Sequence, residues 1–349
     1  MALYISPFSA FTDKVHFQKM STILPFDIIA YIIDTVGENK DTNLLKELAL
    51  VSRCFHQICC KHLFATITLS AYKVDSEPDV PSPKKRFIRL LESRPKVAKY
   101  IRELTFEVGY YTNNPPVSLQ SIHRMSDDYD SQLSPILPNL LRTITRLNSL
   151  TIDANDRRWN DINPCLTSAF LHLMGLPTIN HIDLSFIREF PLSSFSPSVN
   201  LLRLDLLCMT YIDPPPEKEI VVQSEMMPKL REFHISNSFD MTMRLLHAKR
   251  QDGRPAFDIM NLRLFSSCLD NRWDLRYLLQ NAKLLERLHL TVECEETLEG
   301  LHEVLSASAR TLKVLGFSAF IYGTTCGSFP EPLEGVCEGL EALAGHNML

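Results

Sequence analysis

Five residues that could bind a metal ion crowd into nine positions of the sequence: Cys54, His56, Cys59, Cys60 and His62. His56 and Cys60 are four residues apart, so on a helix they share a face and could supply two ligands to a zinc ion. No second pair at metal-ligand spacing follows nearby. The alternative is packing inside a helical unit, because free cysteine is commonly buried. We predict packing, no metal site and no cofactor.

A second candidate is a run of positive charge. Residues 84–102 carry eight lysines and arginines against a single acid, Glu92. Such a run could be a nuclear-import signal or a nucleic-acid contact. It has little aromatic interleaving, and the whole chain carries a net charge of −5, which argues against a general polyanion binder. A solvated face is the plainer interpretation, and we expect no nucleic-acid partner.

Sequence signatures of catalysis are missing. The chain has no glycine-rich phosphate loop, no Gly-x-Ser-x-Gly elbow, no His-Glu-x-x-His and no Cys-x-x-Cys. Its eleven glycines leave little room for glycine-rich substrate loops. We therefore predict a protein that is not an enzyme.

Composition indicates a folded protein of the cytoplasm or the nucleus. No stretch approaches the roughly 18 uninterrupted apolar residues of a membrane span, and the first twenty residues lack the features of a secretory signal. Nine cysteines scattered over 349 residues are typical of reduced thiols and not of a disulfide framework. We expect no contact with a membrane.

The elements that would position these residues begin with a helical unit over 21–70, after a tail at 1–20. Apolar residues recur at helical spacing in LPFDIIAYIID, where Pro25 suits the first turn. After the polar loop GENKDTN the helical spacing returns, and Ser52 can cap a helix that starts within this second run. ATITLS then alternates as a short strand does. A polar, proline-rich linker and a short connecting helix (RFIRLLES) follow over 71–99.

From about residue 100 the pattern apolar-x-x-apolar-x-apolar recurs eight times. It fits Ile101–Leu104–Phe106, Leu147–Leu150–Ile152, Ile179–Ile182–Leu184, Leu201–Leu204–Leu206, Leu230–Phe233–Ile235, Ile259–Leu262–Leu264, Leu285–Leu288–Leu290 and Leu312–Leu315–Phe317. Successive matches begin 46, 32, 22, 29, 29, 26 and 27 residues apart, and most of these steps lie near the 20–29 residues of a leucine-rich repeat. The spacing carries more weight than the matches, because so loose a pattern also occurs by chance.

Most gaps between the matches contain a helix-like segment, so each unit would be a strand plus a helix that buries its apolar face only by stacking on its neighbours. Of the eight positions where a regular repeat places Asn, only Asn155 is Asn. We therefore predict an α/β repeat fold, an irregular solenoid over 100–349. Loops are expected at 113–130, 211–219 and 248–258, and a helix-like segment at 331–349.

The N-terminal unit resembles an F-box. Leu24-Pro25 is followed by the acidic Asp27 and an aliphatic helix, and LALVSRCF at 48–55 matches the Leu-x-x-Val-Ser-Arg-x-Phe/Trp end of the motif. The match covers about 45 residues. The chain as a whole is similar to the F-box proteins that fungi carry in large numbers, in which a three-helix F-box precedes irregular leucine-rich repeats.

This resemblance implies the substrate-recognition subunit of a Skp–cullin–F-box ubiquitin ligase. The F-box would bind a Skp-type adaptor and through it a cullin–RING ligase, and the repeats would capture an unknown protein substrate. Carried over by motif, the adaptor contacts are Leu24, Pro25, Ile28, Ile29, Ile32 and Val51. Two alternatives stay open: the isoleucines form only a local core, or the chain is a leucine-rich-repeat interaction scaffold with no ubiquitin-ligase role.

The repeat pattern also predicts a substrate surface. Apolar positions of each match point inward, so their neighbours point outward onto the concave sheet. One outward row is Glu103, Ser149, His181, Arg203, Glu232, Asn261 and Arg287, and the other is Thr105, Thr151, Asp183, Asp205, His234, Arg263 and His289. The substrate-binding candidates are Asp183, Arg203, Asp205, His234, Arg263, Arg287 and His289. Their mixed charge suggests a polar, charged protein segment as ligand; the alternative is a merely solvated surface.

Overall fold

The structure is a computed structural model. It describes residues 25–69, 83–108, 136–195, 197–210, 221–222, 228–250, 255–269, 282–292 and 301–319. Outside these described residues lie the predicted tail at 1–20, Leu24, the predicted loops at 113–130 and 211–219, and the segment 331–349.

Three helices open the described chain, and they are α1 (Phe26–Glu38), α2 (Thr42–Val51) and α3 (Arg53–Leu63). Pro25 occupies the cap position immediately before α1, one residue earlier than its predicted place in the first turn. Ser52 separates α2 from α3, and its hydroxyl accepts a hydrogen bond from the Phe55 N–H at 3.2 Å. The predicted capping role of Ser52 is therefore confirmed.

The further helices of the described residues are α4 (Pro83–Ser93), α5 (Ile136–Leu141), α6 (Pro164–Met174), α7 (Phe239–His247) and α8 (Leu301–Ser308). Short 3-10 turns lie at Pro95–Tyr100, Trp159–Asp161 and Leu192–Phe195. The strands are β1 (Thr66–Leu69), β2 (Glu103–Glu107), β3 (Ser149–Arg158), β4 (His181–Arg188), β5 (Arg203–Leu207), β6 (Val221–Val222), β7 (Glu232–Ser236), β8 (Lys249–Arg250), β9 (Leu264–Leu269), β10 (Arg287–Val292) and β11 (Val314–Ala319).

Nine of these strands form one parallel sheet in the order β1-β2-β3-β4-β5-β7-β9-β10-β11, while β6 pairs with β8 separately. The chain thus adds each strand next to the previous one, and the predicted α/β class is confirmed. Helices connect β1 to β2, β2 to β3, β3 to β4, β7 to β9 and β10 to β11, whereas β4 reaches β5 through a 3-10 turn. None of the described helices is long and apolar enough to cross a membrane.

A repeated backbone contact extends the sheet by one residue before each strand. Asn180 and His181 both donate their N–H to the carbonyl of Asn148, at 3.0 and 3.1 Å. The same forked contact recurs on each later strand of the sheet as far as β11. Because it satisfies two amides at once, it fixes which residue begins each strand.

The register of β9 differs from the predicted one. The pattern placed Leu262 and Leu264 as the inward pair of this strand. In the structure β9 begins at Leu264, and Phe265 lies opposite Phe233 of β7, with ring centroids 6.2 Å apart. Apolar residues at 259, 262, 264 and 265 allow two alignments three positions apart, and pairing with β7 selects the later one.

This shift changes two members of the outward rows. Asn261 and Arg263 lie before β9, and Leu264 and Ser266 take their row positions. The N–H groups of Arg263 and Leu264 both bond to the carbonyl of Arg231, which is the forked contact that precedes a strand. The predicted position of Arg263 among the outward substrate-binding residues is therefore wrong.

Two hydrophobic cores are present. The sheet core joins the inward strand residues to side chains of the helices, among them Phe87, Leu141, Phe170, Leu245 and Leu305. The three N-terminal helices have a small core of their own, made by Ile33, Leu45, Ile58 and Cys59. β1 and α4, which the sequence assigned to the helical unit and the linker region, both contribute to the sheet core.

Candidate binding surfaces

Helix α1 has two apolar faces, and only one of them is covered. Ile33 is buried, and Ile29 packs against the same helical core. Ile28, Tyr31 and Ile32 are 44%, 73% and 47% exposed. Since these three follow the i, i+3, i+4 spacing of one helix face, they form a continuous apolar stripe. The alternative that the isoleucines form only a local core is wrong for Ile28 and Ile32.

Other large apolar side chains of α1 and α2 are also exposed. Phe26 at the start of α1 is 55% exposed, and Leu50 and Val51 at the end of α2 are 71% and 62% exposed. We call this set the apolar helix surface: Phe26, Ile28, Tyr31, Ile32, Leu50 and Val51. So many large exposed apolar side chains on so small a unit are typical of an interaction site.

Some of the predicted adaptor contacts are exposed in the structure, and one is half-buried. Pro25, Ile28, Ile32 and Val51 are exposed, while Ile29 is half-buried against the core, and Leu24 lies outside the described residues. The motif did not identify Phe26, Tyr31 and Leu50. Helical spacing could have found Tyr31, which lies three residues after Ile28, but burial decides which apolar face is free.

The cysteines and histidines of the predicted cluster lie on α3, and only two of the five are buried. His56 Nε2 lies 3.4 Å from Cys60 Sγ, and Cys59 and Cys60 are buried. Burial raises the pKa of both thiols, which disfavours the thiolate form. No group of three or more potential metal ligands occurs among the described residues.

The outward side chains of the sheet form a connected polar network, which we define as Ser149, His181, Arg203, Asp205, Glu232 and Arg287. His181 Nε2 donates to Asp205 Oδ2 at 3.0 Å, and Ser149 Oγ lies 2.8 Å from His181 Nδ1. Arg203 donates to both oxygens of Asp205, at 2.9 to 3.1 Å. Arg203 and Arg287 each lie 3.5 Å from a carboxylate oxygen of Glu232.

The ion pair between Glu232 and Arg287 bridges a strand. Leu264 of β9 stands between them in the register, and it is only 7% exposed although it points outward. We attribute its burial to the two charged side chains that meet over it. The network therefore continues across β9 in spite of the apolar residue there.

Two neighbouring aspartates in the middle of this surface have pKa values shifted in opposite directions. Burial alone would raise the pKa of Asp205, but hydrogen bonds from His181 and Arg203 outweigh it and hold the pKa below its usual value. Burial, followed by the charge of Asp205, raises the pKa of Asp183. Burial also lowers the pKa of His234, which favours the neutral ring.

Ser149, His181 and Asp205 are connected in the order of a hydrolytic triad. Acyl transfer also requires a pair of donors for the oxyanion. The Ser149 N–H is bonded to the carbonyl of Arg102 at 3.0 Å, and the strand amides beyond it take part in the sheet. The described backbone thus provides no free pair of amides for an oxyanion beside Ser149.

The structure brings together six of the seven predicted substrate-binding residues. Asp183, Arg203, Asp205, His234, Arg287 and His289 occupy the outward rows of adjacent strands. Arg263 lies off this face and pairs with Glu286 at 3.6 Å. Sequence reasoning placed Ser149, His181 and Glu232 in the rows but did not select them, because a row does not show which side chains bond to each other.

Comparison of the chain with protein-family models, with curated proteins and with solved structures finds no match. Function therefore has to be inferred from the residues and their geometry. The two surfaces, one apolar on the helices and one polar on the sheet, suit two different kinds of partner.

Proposed function

We propose that the chain is the substrate-recognition subunit of a Skp–cullin–F-box ubiquitin ligase. The observation that carries this proposal is the apolar helix surface, because it lies on the helices that bear the F-box-like motif. Fully burying one large apolar side chain contributes about 1.5–3 kcal/mol. Covering Ile28, Tyr31 and Ile32, which are 44%, 73% and 47% exposed, therefore contributes part of that free energy for each side chain. A Skp-type adaptor is the partner that the motif implies.

In this proposal the sheet is an irregular leucine-rich-repeat array that captures the substrate. The strictly sequential order of its parallel strands supports the repeat interpretation, since each pass of the chain contacts only its neighbours. The polar network supports a protein ligand with charged groups. The chain performs no chemistry itself, and its free cysteines fit a cytoplasmic or nuclear location.

Substitution of Ile32 by Glu tests the adaptor contact. Ile32 is exposed, so the charged residue is tolerated in the free protein but is desolvated without a partner in the complex. We expect binding to a purified Skp-type adaptor to weaken by at least about tenfold, which corresponds to about 1.4 kcal/mol. Circular dichroism should show an unchanged fold.

Ile136→Glu is the matched control, because Ile136 is 41% exposed on α5 and lies outside the apolar helix surface. It makes the same kind of charge change and should leave adaptor binding unaffected. Wild-type protein that binds no adaptor would favour the second candidate, a repeat scaffold without a ubiquitin-ligase role. Equal binding by the wild type and Ile32→Glu would show that the adaptor contact is elsewhere.

A further inference from the structure

Asp183 and Asp205 stand opposite each other on β4 and β5, yet their partners differ. Asp205 accepts hydrogen bonds from His181 and Arg203, and both donors are committed to it. Among the described residues, Asp183 accepts hydrogen bonds only from two hydroxyl groups, Thr151 Oγ1 at 3.5 Å and Ser185 Oγ at 3.3 Å. Unlike Asp205, it therefore has no hydrogen bond from an arginine, and His181 and Arg203 act on it electrostatically without bonding to it.

No basic side chain among the described residues pairs with Asp183. The ion pairs of this surface place Arg203 on Asp205 and Glu232, and Arg287 on Glu232. His234 Nε2 lies 4.0 Å from Asp205 without a hydrogen-bond partner among the described residues, and burial lowers the pKa of its ring. Both arginines of the polar network are thus paired with acids other than Asp183. A half-buried carboxylate without a cation is unfavourable, and a positively charged ligand group would relieve this cost.

The surroundings of Asp183 also suit a ligand side chain. Thr151, Asp183 and Asp205 occupy the same row on three adjacent strands, so the carboxylate lies within the sheet surface and not at its edge. The two hydroxyls limit its rotation and leave it partly exposed. On the β5 side, Arg203 and Asp205 hydrogen-bond to each other and border Asp183.

We propose that Asp183 receives a lysine or arginine side chain of the captured protein, and so determines its specificity. This inference rests on the proposed function, because it takes the sheet surface as the substrate-binding surface. It defines the ligand by chemistry: a polypeptide segment with a basic residue whose cationic end reaches the middle of the sheet between β3 and β5.

A selection from a library of random twelve-residue peptides on the immobilised full-length chain tests this inference. Peptides retained by the wild type should be enriched at least threefold in Lys or Arg at one position. Asp183→Asn keeps an oxygen that accepts from both hydroxyls but removes the charge, so this enrichment should disappear. Asp156→Asn is the control, because Asp156 already pairs with Arg188 away from the network, and it should select the same peptides as the wild type.

A single-compound measurement accompanies the selection. The pKa of Asp183 is measured by pH titration of the NMR signal of its carboxyl carbon. N-acetyl-arginine amide should lower this pKa, whereas the neutral analogue N-acetyl-citrulline amide should not. Equal peptide enrichment by the wild type and Asp183→Asn, no basic enrichment, or an unchanged pKa with the arginine compound would overturn the inference. Adaptor binding, measured on the same variants, should be unaffected; its absence would refute the proposed function while leaving the role of Asp183 intact.

Discussion

Gly37 and His62 hold α1 against α3 through a close approach. His62 Nε2 lies 2.7 Å from Asp34 Oδ1, and its ring occupies the space that a Cβ atom on residue 37 would need. Alanine is favoured over glycine in a helix by about 1 kcal/mol, but at this site it must displace the ring. At residue 37 the higher helix propensity of alanine is therefore opposed by the displacement of the His62 ring.

This opposition predicts a background-dependent effect of Gly37→Ala on the free energy of unfolding. In the wild type, loss of the His62–Asp34 bond offsets the helical gain, and stability should stay equal or fall by up to about 1 kcal/mol. In a His62→Ala background the space is open, and the same substitution should stabilise by about 1 kcal/mol. Urea denaturation of the four proteins measures the coupling; equal effects in both backgrounds would show that the ring moves aside without cost.

The two neighbouring aspartates should respond to amidation in opposite directions. Ionisation of Asp183 costs the folded state free energy because its pKa is raised, so Asp183→Asn should stabilise the protein at pH 7. Asp205→Asn should destabilise by about 1–3 kcal/mol, because it removes charge-assisted hydrogen bonds.

The pH dependence follows from the signs of the two shifts. Asp183 is protonated in both states below its ordinary pKa of 3.8, so the advantage of Asp183→Asn should vanish there and grow as pH rises through the raised folded pKa. The stabilisation by Asp205 is present above 3.8 and is lost as pH falls through its lowered folded pKa. Denaturation of both variants at pH 3 and pH 7 checks this; a uniform effect of Asp183→Asn at both pH values would contradict it.

At the scale of elements, β9 shows what a local pattern can and cannot predict. Where one apolar set is available, as at Leu201–Leu204–Leu206, the sequence gives the correct strand and the correct inward face. At β9 two sets overlap, and only pairing with a distant part of the chain chooses between them. The same limit applies to the polar network, since contacts such as Ser149 with His181 join residues of different strands.

Ser267 provides a test of the β9 register. It stands between Ile235 and Leu290 in the inward row, is 2% exposed, and its hydroxyl has no hydrogen-bond partner among the described residues. Removal of an unsatisfied buried hydroxyl and filling of its space should be favourable, so Ser267→Val should raise the free energy of unfolding by about 1 kcal/mol or more.

The predicted register gives a different outcome for the same variant. There Ser267 follows the inward positions and belongs to a turn, where valine would bring no burial and loses a turn-forming hydroxyl. Thermal denaturation of Ser267→Val therefore distinguishes the two alignments by the sign of the change. Arg263→Ala serves as a companion variant, because Arg263 is exposed and lies off the outward face. The substitution should change the free energy of unfolding by less than about 0.5 kcal/mol and leave peptide capture unchanged.

At the scale of the whole molecule, the chain contains a large core and a small one. The sheet core extends over all nine strands, whereas the core of α1–α3 rests on four buried residues, Ile33, Leu45, Ile58 and Cys59. Units below about 40 residues rarely fold without additional support. The helical unit receives some from the sheet, because Leu63 packs on the small core and Phe64 on the large one. We therefore expect a bound partner to contribute a large share of the free energy of unfolding of the helical unit.

This asymmetry predicts where a Skp-type adaptor would change hydrogen exchange. A ligand present at 100 times its dissociation constant stabilises the bound unit by about 2.7 kcal/mol, or about 100-fold in protection. Amides of α1 and α2 exchange when the small core opens, so they should gain this protection. Amides of β3, β4 and β5 should keep their exchange rates, because their core does not include the apolar helix surface. Exchange measured by mass spectrometry with Ile32→Glu as the control resolves the two regions. Equal gains in helices and sheet would show that the two cores unfold as one cooperative unit, and no gain in α1 would place the adaptor elsewhere.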